Sequence, residues 1–234
     1  MDRFAKGYLL AGPYGTGKTT IGRLIAMAMT CEEKTDGYSC GKCETCVSIR
    51  DGYCSDVKEL DGGSNTGVDE ARKIRETVMY APQVLSKKIY IIDECHMLTS
   101  QAWSALLKTL EEPPAYAYFI LCTTDARKLL PTIISRLQRF QLKKIDASVM
   151  AKKLSEVAIA EGVTLDAGAA TAIALAAKGA MRDAYSFFEQ MITTVGTNIS
   201  ESVAREQIGL PDKRITNEVA KMIADRNISG VLIR

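Results

Sequence analysis

Residues 12–19 read Gly-Pro-Tyr-Gly-Thr-Gly-Lys-Thr, between two stretches of different character. Ahead of them, Gly7-Tyr-Leu-Leu-Ala11 is a short apolar run of the kind that forms a buried strand. Behind them, Thr20 to Thr30 carries Ile21, Leu24, Ile25 and Ala28 at helical spacing. Strand, glycine-rich loop and helix thus follow in the order that the pattern GxxxxGKT requires. A chance match in an unstructured loop would lack those flanking elements. Glycines let successive N–H groups converge on phosphate oxygens, and the helix N-terminus adds its dipole. Gly12, Pro13, Gly15, Thr16, Gly17, Lys18, Thr19 and Thr20 are therefore expected to surround a triphosphate. Lys18 would reach its β- and γ-phosphates and Thr19 would hold Mg²⁺.

A second apolar run, Lys88-Ile-Tyr-Ile-Ile-Asp-Glu-Cys-His96, finishes in paired acids. A buried strand has no reason to end so unless the carboxylates face a charged ligand. Asp93 is placed to order the Mg²⁺ shell and Glu94 to polarise the water that attacks the γ-phosphate. His96, the single histidine, reads as a packing or hydrogen-bonding neighbour rather than a proton carrier. A third strand, Ala117 to Cys122, leads into Thr123-Thr124-Asp125, which puts Thr124 beside the γ-phosphate or the water. The helical run Gln101 to Leu110, closed by Glu-Glu-Pro-Pro114, alternates with these strands. The expected fold is therefore α/β, a parallel sheet covered on both faces. From Ile145 onward the pattern turns to helices alone, Ala147 to Ala160, Asp166 to Lys178 and Arg182 to Val195, which reads as a small all-α lid.

Four of the seven cysteines fall between residues 31 and 46, as Cys31-x8-Cys40-x2-Cys43-x2-Cys46. An odd total, clustered, argues against a secreted disulfide framework. Two overlapping CxxC knuckles, with Gly41 at the tight turn, match a closed tetrahedral Zn²⁺ site. Free thiols or a CxxC redox pair are the alternatives, although a redox pair needs only two cysteines. Cys95 and Cys122 lie in apolar surroundings and read as core residues, and Cys54 stands apart. Thirty Lys and Arg against 28 Asp and Glu give a net charge of +2, so nucleic-acid contact would need local patches. No run approaches the roughly 18 apolar residues of a membrane span, so the expectation is a soluble, intracellular chain without membrane contact.

The set GPYGTGKT, the four-cysteine insert, ELDGGSNTGVDEAR, IYIIDECHML, LLKTLEEPP, LCTTD, IISR and GAMRDA resembles the gamma/tau family of AAA+ proteins, the ATPase subunits of the bacterial DNA polymerase III clamp loader. The similarity is collinear over nearly the whole chain. It implies a P-loop AAA+ nucleotide domain over 1–143 with a zinc module at 31–46. A lid would follow over 144–208, and 209–234 would start a truncated third, collar-like domain that oligomerises. In the resemblance Lys18 and Thr19 match Walker A, Asp93 and Glu94 match Walker B, and Thr124 matches sensor 1. Arg136 matches the arginine that enters a neighbouring subunit's ATP site, and Arg182, in Gly-Ala-Met-Arg-Asp183, matches sensor 2. Either arginine, standing alone, would read as a solvated or salt-bridged side chain. The implied cofactors are ATP, Mg²⁺ and Zn²⁺. The implied partners are other clamp-loader subunits in a hetero- or homo-oligomer, a sliding clamp and primed DNA, and the implied location is cytoplasmic.

This chain departs from the family at several points. Leu137 stands where the family has cysteine after Ser-Arg. The segment that precedes the first strand and wraps the adenine is nearly absent, which suggests a shortened phage-type homologue or an incomplete chain. Gly62-Gly-Ser-Asn-Thr-Gly-Val68, opening a helix at Asp69, is the expected contact for DNA phosphates, but Asn65 and Gly67 occupy places where basic residues are expected. The leading reading is a clamp-loader ATPase. A weakly hydrolysing scaffold or decoy that binds clamp or loader subunits is the alternative. A DExH helicase, suggested by Asp-Glu-Cys-His, would need a second α/β lobe that the sequence after residue 145 does not hold.

Overall fold

The structure, a computed structural model, describes residues 4–64, 67–210 and 213–225. The chain divides into two units, Met1–Lys143 and Lys144–Arg234.

Five parallel strands form the sheet of the first unit: β1 (Gly7–Ala11), β2 (Val57–Asp61), β3 (Lys88–Asp93), β4 (Ala117–Thr123) and β5 (Gln138–Gln141), in the order β2-β3-β4-β1-β5. The three central strands are apolar along almost their whole length because both faces are covered. Alternate residues serve opposite faces. Tyr8, Leu10, Ile89, Ile91, Ile120 and Cys122 pack under α1 (Lys18–Thr30) and α2 (Glu44–Arg50). Leu9, Ala11, Tyr90, Ile92, Phe119 and Leu121 pack under α3 (Val68–Val78), α4 (Ser100–Glu111) and α5 (Pro131–Ile134), with the Tyr90 and Phe119 rings stacked 5.3 Å apart. Cys95 and Cys122 are fully buried, and burial pushes both thiols up.

Among the boundaries that differ from the sequence reading, two fall at a left-handed residue. The first helix begins at Lys18 rather than Thr20, because Gly17 (φ 84°) turns the loop directly into its first turn. The second apolar run stops being a strand at Asp93, because Glu94 adopts φ 41°, ψ 42° and sends the chain into a short 3₁₀ turn. The edge strands β2 and β5 are mostly polar and exposed, so the apolar pattern that marked the central strands does not reach them.

The second unit packs α6 (Ala147–Ala160), α7 (Ala167–Ala176), α8 (Met181–Val195) and α9 (Glu201–Ile208) around Met150, Leu154, Ile173, Phe188 and Met191, and α10 (Lys213–Ala224) follows. It is not purely helical as expected. Thr164–Leu165 (β6) and Asn198–Ile199 (β7) form a two-residue parallel ladder that ties the α6–α7 link to the α8–α9 link.

Asp56, just before β2, is 1% exposed and accepts N–H bonds from Gln83, Val84 and Leu85 at 2.6–3.0 Å. Burial pushes this carboxyl up, but the Leu85, Gln83 and Val84 amides, with the Lys88 charge, outweigh it and hold it below its ordinary value. Its contribution to stability is therefore complete above the unfolded carboxyl's pKa of about 4 and is lost as pH falls through the lower folded value. Asp56→Ala should cost roughly 3 kcal/mol at neutral pH, because three amides lose a charged acceptor that is itself buried. Urea unfolding should show the gap between native chain and Asp56→Asn closing as the pH drops below about 4, and a gap that stays constant with pH would contradict this account.

Candidate functional site

The glycine loop lies at the C-terminal ends of β1, β3 and β4, the edge of a parallel sheet where ligands bind. The Gly12 amide donates to Thr123 O at 3.1 Å, and a Cβ on Gly12 would sit 2.8 Å from Leu142, so only glycine lets the segment after β5 pass so close. Gly15 is left-handed (φ 71°), and Thr16, 6% exposed, donates its hydroxyl to Pro13 O at 2.8 Å. Lys18 is 5% exposed, and its ammonium donates to Gly12 O (3.1 Å) and Pro13 O (3.0 Å), which holds it folded over the loop. The Thr19 hydroxyl donates to Asp93 Oδ2, joining the two residues expected to order a cation, and Thr20 follows in the first turn of α1.

Glu94 follows in its left-handed conformation, which is costly for a residue other than glycine and characteristic of functional turns. Its amide donates to Asp93 Oδ1 at 2.8 Å. Its Oε2 accepts from the Thr124 amide (3.3 Å) and hydroxyl (3.0 Å) and lies 3.2 Å from His96 Nδ1. Glu94 and Thr124, predicted separately from two strand ends, thus share a hydrogen bond. His96 Nδ1 is also 3.0 Å from the buried Thr123 hydroxyl, whose oxygen accepts from the Asp125 amide at 3.1 Å.

The sequence reading missed Gly62 as a supporter of this turn. Its amide donates to Asp93 O at 2.8 Å, and a Cβ there would lie 2.7 Å from Glu94 O and 2.9 Å from Asp93 O. The available signal was a glycine directly after β2, the strand paired in register with β3 from Val57–Ile89 to Asp61–Asp93.

The two arginines belong to other elements. Arg136, between α5 and β5, pairs with Glu111 at the end of α4 (2.9 Å) and donates to Thr132 O. None of its partners among the described residues belongs to the glycine loop. Arg182 is in the first turn of α8, in the second unit. Of the expected DNA loop, Asn65 lies outside the described residues. Gly67 caps α3 without a side-chain bond, and Asp69 and Glu70 fill the first turn, paired with Arg72 and Lys73 at 3.1 Å. Two carboxylates there oppose an incoming phosphate.

The four clustered cysteines converge. All are free thiols, and their sulfurs lie within 4.8 Å of one another, with Cys31 Sγ and Cys43 Sγ 3.9 Å apart. A tetrahedron with Zn–S bonds of about 2.3 Å would set sulfurs about 3.8 Å apart, so the cage is of the right size. Gly41 is left-handed (φ 71°), and the Cys40 amide points to Cys31 Sγ (3.4 Å) and the Cys43 amide to Cys40 Sγ (3.3 Å). The Lys42 and Cys43 amides lower the Cys40 thiol to about 7, whereas burial raises Cys46 to about 12. Cys31 and Cys46 are buried against the face of the sheet under α1, which docks the insert on the core. These residues fit a tetrahedral metal ion.

A family model described as "DNA polymerase III, delta subunit" matches residues 1–146, and one described as "DNA polymerase III clamp loader subunit, ATPase lid domain" matches residues 149–197. The chain belongs to the DNA polymerase III clamp-loader family. Within that family its sequence relatives are on the gamma/tau side. It is 42% identical to DNA polymerase III subunit tau of Bacillus subtilis over 98% of this chain and 41% of that one. It is 37% identical to subunit tau of Escherichia coli over 95% of this chain and 35% of that one. The chain therefore spans well under half the length of these two relatives. The RuvB Holliday junction branch migration motor of Thermotoga maritima has the same fold, with TM-score 0.63 at 20% identity over 93% of this chain and 68% of that one. Among the described residues no helix is long and apolar enough to cross a membrane.

The close approach at Gly62 can be tested without nucleotide. Gly62→Ala puts its methyl against backbone, which must shift, and should cost about 1–3 kcal/mol. Gly63→Ala meets only the Asp61 carboxylate, at 3.2 Å, and should cost less. Thermal unfolding of the two variants side by side should show Gly62→Ala melting lower, and equal melting points would remove Gly62 as a support of the Glu94 turn.

Proposed function

We propose that this chain is the ATPase part of a clamp-loader subunit, one that works in the cytoplasm with other clamp-loader subunits to open a sliding clamp and release it on primed DNA. The observation that supports this reading is the continuous set of contacts from the loop through Thr19 and Asp93 to Glu94 and Thr124, which joins the glycine loop, the candidate cation ligands and the candidate base at one sheet edge.

In this reading the loop amides of residues 15–20 and the Lys18 ammonium take the β- and γ-phosphates, and Lys18 exchanges its bonds to Gly12 O and Pro13 O for phosphate oxygens. Thr19 and Asp93 would hold Mg²⁺, which when bound would neutralise phosphate charge. Glu94 orients a water and accepts its proton as the water oxygen attacks phosphorus, and ADP leaves. Thr124 donates to the Glu94 carboxylate, and its hydroxyl oxygen remains able to accept from the water, or the hydroxyl turns to donate to the γ-phosphate. Arg136 serves a neighbouring subunit's γ-phosphate, for which its pair with Glu111 must open, and Arg182 approaches the nucleotide from the lid. Residues 209–234 begin a third domain for assembly. Any grip on DNA phosphates rests on residues beyond the acidic first turn of α3. Zn²⁺ on Cys31, Cys40, Cys43 and Cys46 is a structural staple remote from hydrolysis.

Glu94→Gln should keep ATP binding while slowing hydrolysis by roughly 10²–10⁴-fold, and Lys18→Ala should weaken binding itself. A native chain that fails to turn over ATP with loader partners, clamp and primed DNA present would hand the site to a scaffold role. Gently purified protein should contain one zinc per chain by elemental analysis. Cys43→Ser should lower that content and loosen the insert while leaving ATP affinity nearly unchanged. A metal-free chain, or a disulfide among the four, would remove the staple.

A further inference from the structure

The single histidine stands at the phosphate edge, and the hydrolytic reading gives it no task. His96 follows Glu94 by two residues in the 3₁₀ turn, and its side chain is 9% exposed. Its Nδ1 faces two oxygens, Thr123 Oγ1 at 3.0 Å and Glu94 Oε2 at 3.2 Å. An ionised carboxylate can only accept. A bare Nδ1 lone pair would therefore repel Oε2 at that distance, whereas an Nδ1–H bonds it. The Thr123 oxygen already accepts the Asp125 amide, which fixes the hydroxyl beside the ring.

We propose that His96, in the Nδ1–H form, is a positioning residue that clamps Glu94 Oε2 together with Thr124, so that Oε1 is the oxygen presented to the attacking water. Three donors, the Thr124 amide, the Thr124 hydroxyl and the imidazole, converge on that one oxygen. The clamp has a reason to exist in the backbone beneath it. Glu94 is left-handed, in a conformation that its own φ and ψ do not favour, and it leads a long side chain with several rotamers from a turn. Fixing one carboxylate oxygen removes that freedom before substrate arrives, which is how preorganisation lowers a barrier. Thr123 in turn fixes the imidazole plane, so the strand end of β4 orients Glu94 twice, directly through Thr124 and through Thr123 and His96.

This inference rests on the ATPase reading, and two independent measurements separate their failures. In the assembled loader, His96→Phe keeps the ring's bulk but has no donor. Its kcat should fall on the order of 10-fold or more with the KM for ATP unchanged, while His96→Asn, whose amide nitrogen stands near the Nδ1 position, should recover most of the loss. Equal kcat for native and Phe variants would overturn the clamp, as would equal losses for Phe and Asn. The second measurement needs no activity. Because the chain has one histidine, ¹⁵N NMR of its imidazole in the native protein reports one tautomer. It should be Nδ1–H, moving toward Nε2–H in Glu94→Ala, where Thr123 becomes free to donate to the ring. An Nε2–H tautomer in the native chain overturns the proposal even if ATP is hydrolysed. An inactive native assembly with an Nδ1–H tautomer overturns the ATPase reading and leaves the His96–Glu94 bond standing.

Discussion

The bond from the Thr19 hydroxyl to Asp93 Oδ2 joins the helix that follows the glycine loop to the end of the central strand β3, across 74 residues of sequence. Asp93 is held from other directions too. Its backbone carbonyl accepts from the amide of Gly62, just after β2, and its Oδ1 accepts from the amide of Glu94. The buried parallel strands supply the rigidity that makes such an arrangement possible. β1, β3 and β4 bury apolar residues on both faces, so their ends cannot slide without breaking the core. Polar groups at those ends inherit the register of the sheet, and a strained residue such as Glu94 can persist there because its neighbours over-determine it.

The cysteine insert is joined to the same core by different means. Cys31 caps the end of α1 and Cys46 lies within α2, and both pack with Ile89, Ile91 and Ile120. The module is therefore anchored by apolar burial on one side and gathers its four sulfurs on the other. In the proposed zinc-bound state, loss of the metal would release the more exposed half, around Cys40 and Cys43, before it disturbed the sheet edge where the phosphate loop sits.

The central strands and the loop between β1 and α1 were legible because their signal is composition at fixed spacing: continuous apolar runs, a glycine pattern, acids closing a strand. What the sequence hid was of three kinds. The edge strands β2 and β5 are polar, and only pairing with β3 and β1 defines them. Gly62 was read as part of a polar loop expected to contact DNA phosphates, because its requirement is the carbonyls of Glu94 and Asp93 lying 2.7 and 2.9 Å from where a Cβ would be. His96 was read as a packing or hydrogen-bonding neighbour, and its partners became visible only when Thr123 and Glu94 were brought beside it from 27 residues and two residues away. Arg136 matched its motif, yet no local pattern announces that Glu111 holds it.

In the proposed assembly one chain supplies the phosphate pocket and another the arginine that completes it. Mixing two variants tests this most directly. Arg136→Ala keeps the pocket and lacks the arginine, and Lys18→Ala keeps the arginine and lacks the pocket, so each assembly alone should be nearly inactive. Together they should regain part of the native ATP turnover, with a maximum near equal proportions. A mixture that stays inactive, while native chains associate and hydrolyse ATP under the same conditions, would contradict action between subunits and with it the clamp-loader mechanism proposed for this chain.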